Sequence, residues 1–222
     1  MASRNTIALF AGLMLLAACG KDEEAAPVDL GLDYFPARVG SWVEFQVDSL
    51  WRDDPAGVLD SVSYRLREQV VEQYQDPTGR TAYRLLRSVL NTEGEWVVRD
   101  VWSFTVSNTE AEMTEENKRR LKLSFPVREG RTWNINATNT DQELLVAHRE
   151  VGSAWSTDSL SWPATVLVRN TQPPNPVITR NFEERYAKGV GLVRKYWEET
   201  NTQTTGVVGF RLSMVALAYG QE

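Results

Sequence analysis

Apolar and polar residues alternate with a period of two along most of this chain. Such a pattern places all apolar side chains of a segment on one face of an extended strand and gives a helix no coherent stripe. The clearest run carries Trp96, Val98, Trp102, Phe104 and Val106 on one parity, interrupted only by Asp100. Val43, Phe45 and Val47 form a second such set, and Val62, Tyr64 and Leu66 a third; Trp133, Ile135 and Ala137 continue the pattern. Further strands are predicted over 83–90, 143–149, 165–171, 177–186, 192–200 and 207–219. Abundant Val, Thr and aromatic residues suit a pleated, half-buried surface.

Short turn-forming stretches separate the runs. Asp53-Asp54-Pro55-Ala56-Gly57, Asp76-Pro77-Thr78-Gly79 and Asn91-Thr92-Glu93-Gly94 read as hairpin connections. Successive strands with short links predict an all-β fold, a single antiparallel meander forming a half-barrel or open barrel. The one helix candidate is short, near 109–120, where acidic residues precede basic ones as a helix dipole would favour. A polar loop fits that segment equally. No second domain boundary is visible, so residues 34–222 are read as one β domain.

The N-terminus has the three parts of a secretory signal. Arg4 is followed by an apolar stretch from Ile7 to Leu16, then by the small residues Ala17 and Ala18. The apolar stretch is well short of the roughly 20 residues that span a bilayer. Leu16-Ala17-Ala18-Cys19 resembles the lipobox of bacterial lipoproteins at all four positions. The resemblance implies a signal peptide over 1–18, cleavage before Cys19, and acylation of its thiol and amine. Residues 19–33 then form a lipidated, acidic tether. Gly20 is not the aspartate that retains Gram-negative lipoproteins at the inner membrane. This implies anchoring in the outer membrane. Lys21, Asp22, Glu23 and Glu24 resemble the tag that exports some lipoproteins to the outer face; a solvated tether is the alternative reading.

Net charge and residue usage exclude several classes. The chain carries a formal charge of −6, which disfavours nucleic acid as a partner. Cys19 is the only cysteine, so an acylated chain has no thiol for a disulfide, a metal site or a nucleophile. No metal or cofactor is expected. His148 is the only histidine, and no Gly-x-Ser-x-Gly elbow accompanies it. Between Ala147 and Arg149 on a predicted strand, it reads as an ordinary surface or edge residue. The adjacent pairs Glu115-Glu116, Glu183-Glu184 and Glu198-Glu199 point to opposite faces of their strands. A glycosidase dyad would need carboxylates from different strands. No catalytic residue is assigned.

Several phrases resemble a loose group of bacterial lipoproteins. Tyr34-Phe35-Pro36 with Gly40-Ser41-Trp42 opens the domain, and Phe125-Pro126 with Gly130 and Trp133 repeats the phrasing. Tyr186-Ala187-Lys188-Gly189-Val190-Gly191-Leu192-Val193 resembles the segment before their closing strands. The resemblance implies an antiparallel half-barrel, similar to periplasmic lipoprotein carriers but without their long helical lid. Gly189 and Gly191 read as a tight turn or bulge. Of the eight tryptophans, Trp96 and Trp102 are predicted core by parity, and Trp42 is predicted to cap the barrel. Trp51, Trp155, Trp162 and Trp197 are not placed by the pattern. These features together predict a non-enzymatic envelope lipoprotein, anchored to the membrane through Cys19. It would bind an apolar ligand or an envelope protein partner in a β concavity. The alternatives are a structural subunit of an envelope complex and a glycan hydrolase.

Overall fold

The computed structural model describes residues 27–173 and 175–222. The lipobox with Cys19, and the run Lys21, Asp22, Glu23 and Glu24, lie outside the described residues. The domain is one antiparallel sheet of twelve strands. In chain order these are β1 (Ser41–Asp53), β2 (Val58–Gln75), β3 (Thr81–Leu90), β4 (Trp96–Val106), β5 (Glu110–Glu115) and β6 (Lys118–Ser124). The second half comprises β7 (Thr132–Asn134), β8 (Leu145–Ser156), β9 (Ser161–Asn170), β10 (Ile178–Ala187), β11 (Gly191–Gln203) and β12 (Gly206–Gln221). Each half is a meander, and β1 pairs along its whole length with β12. The phrases Phe35-Pro36 and Phe125-Pro126 each precede the first strand of a half.

The sheet curls into a nearly closed barrel. Its outer edges, β6 and β7, meet without a continuous ladder. Leu121 N donates to Ile135 O at 2.9 Å, and Trp133 Nε1 donates to Leu121 O at 2.9 Å. Asn139 Nδ2 adds a bond to Arg119 O at 2.7 Å. These bonds occupy edge groups that would otherwise invite another strand.

Alternation dictates what faces inward. Phe45, Val47, Leu66, Val193 and Met214 are buried in one cluster, and Phe104, Phe125, Ile135, Val166 and Tyr186 in another. Each such side chain contributes about 1.5–3 kcal/mol on burial. A 3-10 turn at Leu32–Tyr34 is the only helical element among the described residues. The chain around it covers the barrel end that carries the β10–β11 turn: Gly189 N donates to Asp33 O at 2.8 Å. Phe35 enters the interior there, edge-on to Phe104 at 5.4 Å. Gly189 and Gly191, at φ 75° and 98°, form the expected turn.

Three expectations are corrected. The helix candidate near 109–120 is the β5–β6 hairpin. Ala111 and Met113 alternate with polar neighbours, and Glu116 and Asn117 take the left-handed conformation (φ 48° and 62°) that a two-residue hairpin turn requires. Trp96 is not core. The β3–β4 ladder shifts register between Arg87 and Ser88, which pair with Asp100 and Val98. The extra residue, Arg99, reverses parity. Trp102 and Phe104 therefore face the interior, whereas Trp96 lies against Arg67, as does Trp42, each ring centroid 4.8 Å from the guanidinium. His148 is not a surface residue: it is fully buried on β8.

Candidate functional site

The curled sheet surrounds a half-open cavity of about 300 Å³. Phe35, Phe45, Leu85, Phe104, Met113 and Met214 supply much of its apolar wall. Trp42, Trp102 and Trp197 also line it, whereas Trp51 is half exposed. Trp155 and Trp162 stack on each other at 5.3 Å. Parity explains the membership of Leu85, Trp102 and Phe104: the bulge at Arg99 turns the C-terminal part of β4 inward to meet β3.

Charged side chains interrupt the apolar wall at two places. In the first, Lys122 Nζ donates to Glu115 at 2.8 Å and to Glu184 at 2.5 Å. Lys195 Nζ lies 3.2 Å from Glu184 and 3.8 Å from Glu115. Tyr186 donates its hydroxyl to Glu184 at 2.5 Å. Glu184 and Lys195 are direct cross-strand partners on β10 and β11. Lys122 is the extra residue of a register shift in β6, where Ala111 and Glu112 pair with Leu123 and Leu121. In the second place, Arg87 bonds Glu68 and Asp100, each at 3.0 Å. Its guanidinium lies 3.7 Å from the Trp102 ring centroid. Arg99 also holds Asp100, at 2.9 Å.

Burial would raise the carboxyl pKa of Glu115 and Glu184, but the ammonium charges of Lys122 and Lys195 outweigh it and hold both below the usual range. Lys122 is raised: burial opposes its charge, and the two carboxylates more than offset that. Burial, then the charge of Glu184, pushes the Tyr186 hydroxyl well up, so it remains a donor. The site thus brings together two carboxylates from different strands, as a glycosidase dyad would need. Both are ionised and locked by lysine, so this pair lacks the protonated member that supplies a general acid.

His148 stands apart from the cavity. Its ring lies 4.5 Å from that of Trp133, and its Nδ1 accepts from Arg128 N at 3.4 Å. Its Nε2 has no partner among the described residues. Among the described residues no cluster of His, Asp or Glu is arranged to hold a metal ion. No helix among them is long and apolar enough to cross a membrane.

The charged cluster was invisible in the sequence because its members come from two hairpins, β5–β6 and β10–β11, distant along the chain. The nearest local signal is Lys122 between the buried Leu121 and Leu123, a lysine where a strand otherwise turns apolar.

No family model matches the chain, and no curated protein matches it. A solved structure from Parabacteroides distasonis, described as a candidate lipoprotein, is similar at 14% identity. The alignment covers 88% of this chain and 100% of that one, with a TM-score of 0.43. Likeness at that level transfers no function.

Proposed function

We propose that this chain is a lipid-anchored envelope lipoprotein that holds a small apolar or amphipathic molecule inside its barrel. The observation that carries the reading is the aromatic-lined cavity of about 300 Å³, at the lower end of the size range of small-molecule sites. Apolar walls with a few convergent polar groups are the usual composition of such sites. A packed interior would instead leave few voids larger than a water molecule.

Equilibrium dialysis of the lipidated chain in lipid nanodiscs tests this, with monooctanoylglycerol as the probe. The expected result is saturable uptake of one molecule per chain. Leu85→Phe adds a ring to the cavity wall, and overpacking of this kind costs about 1–3 kcal/mol of stability at most sites. It should remove the saturable uptake while the sheet remains folded by circular dichroism. Uptake that Leu85→Phe leaves intact would move the ligand out of the barrel and sink the proposal.

In the same reading, Cys19 carries the acyl anchor in the outer membrane and Lys21 to Glu24 form its export signal. Cys19 is the only thiol that could take a diacylglycerol thioether. Labelled palmitate should enter the wild-type protein in cells and be absent from Cys19→Ser. Equal labelling of the two would exclude the anchor.

A further inference from the structure

We infer that the cavity selects ligands of zero net charge: a neutral amphiphile whose oxygen acceptors meet Lys195 and Trp197 while its chain lies against the aromatic wall. This rests on the ligand-binding reading above and deepens it.

The charges on the cavity wall are already paired. Arg87, Arg99, Lys122 and Lys195 line it with Glu68 and Glu115; Asp100, Glu184 and Arg120 are partners outside the lining, and every one of these groups is engaged in an ion pair. An entering carboxylate or ammonium would leave water and find no counter-charge without a partner, and desolvating an ion is costly unless it is paired. A neutral polar group does not meet that penalty.

Hydrogen-bond donors, in contrast, remain unspent. An ammonium has three N–H donors. Lys122 directs two of them at carboxylates. Lys195, whose side chain is 8% exposed, lies near the same carboxylates at 3.2 and 3.8 Å. It makes no directed hydrogen bond among the described residues. Two residues along β11 and on the same face, Trp197 holds a buried Nε1 with no partner among the described residues. Its ring centroid is 5.7 Å from Lys195 Nζ. The unpartnered Trp197 Nε1, beside an ammonium with further N–H groups to direct, fits an ester, carbonyl or hydroxyl oxygen. The net charge of such a ligand is zero, so it does not disturb the existing pairs.

Three eight-carbon amphiphiles separate the possibilities in nanodisc dialysis at neutral pH: monooctanoylglycerol, octanoate and octylammonium. Leu85→Phe discs serve as the blank for partition into lipid. The neutral probe should bind at least about tenfold more tightly than either ion. Glu115→Gln removes one negative charge with little change of shape and should improve octanoate binding by about tenfold; Lys195→Met should do the same for octylammonium. Gains of binding are results that a misfolded variant does not produce. Octanoate or octylammonium binding as tightly as the neutral probe to the unaltered chain would overturn the inference. So would charge variants that leave the ranking of the three unchanged. If none of the three binds saturably, the ligand-binding reading itself falls.

Discussion

Lys122→Met is expected to lower the unfolding free energy by about 3–5 kcal/mol, the cost of removing one partner from a buried ion pair. The loss would show as a lower urea midpoint at unchanged slope. The reason is local. Lys122 is 3% exposed and Glu184 is fully buried, and Lys122 makes the directed bonds to both Glu184 and Glu115. Without it, Lys195 at 3.2 and 3.8 Å, and Arg120 at 3.6 Å from Glu115, must offset two buried carboxylates. Small domains have a total stability of about 5–15 kcal/mol, so the variant would lie near the limit of folding. Adding Glu184→Leu to Lys122→Met should restore part of the loss: it removes the carboxylate left without its lysine, but leaves the buried Tyr186 hydroxyl without its acceptor. A loss below about 1 kcal/mol for Lys122→Met would match an exposed pair instead and would mean that water reaches the cluster.

Acid is expected to weaken the fold from pH 6.5 downward, ahead of ordinary carboxylate titration. Burial, reinforced by the charge of Arg131, holds the His148 imidazole down at about 4 against an ordinary 6.5. Above pH 6.5 the imidazole is neutral in both the folded and the unfolded chain, and its contribution to stability is complete. As pH falls, the unfolded chain takes up the proton first, so stability declines until the folded-state value near 4 is reached. The interval corresponds to about 3 kcal/mol. Glu115 and Glu184, held below 4.5, act in a lower window. Their stabilisation is present above about 4.5 and is lost as pH falls through the depressed folded values. His148→Leu should flatten the profile between pH 6.5 and 4 and leave the carboxylate window in place. The unsatisfied Nε2 limits the loss at neutral pH to the 3.4 Å bond that Nδ1 accepts from Arg128 N. An unchanged profile in His148→Leu would assign the acid sensitivity to other groups.

Much of the architecture was legible because strand burial follows parity. Val43, Phe45 and Val47 point inward as their alternation requires, and the turn at Asp76–Gly79 forms as its residues suggest. There Asp76 Oδ1 accepts from the backbone N–H groups of Thr78 and Arg80. The exceptions arise where one residue changes register or where charges serve long-range partners. One bulge residue, Arg99, separates Trp96 from the core and has no sequence marker beyond Asp100, which had broken the alternation. The acidic-then-basic order of 109–120 mimics a helix dipole. In the fold those charges bind across the sheet instead: Glu112 meets Arg80 at 2.8 Å and Arg120 meets Asp141 at 3.1 Å. His148 shares parity with the buried Val146, a cue outweighed by its polar chemistry and by Arg149 beside it. The cavity was least legible of all. Periodicity tells which side chains turn inward, but not whether twelve inward faces fill the space between them.

A crystal structure of the chain soaked with a brominated monoacylglycerol tests most directly whether that space holds a ligand. The account predicts an anomalous bromine peak inside the barrel, between Trp102 and Trp197, with the ester or hydroxyl oxygens next to Lys195. An interior without bromine, or bromine confined to the outer face near Trp96, would contradict it.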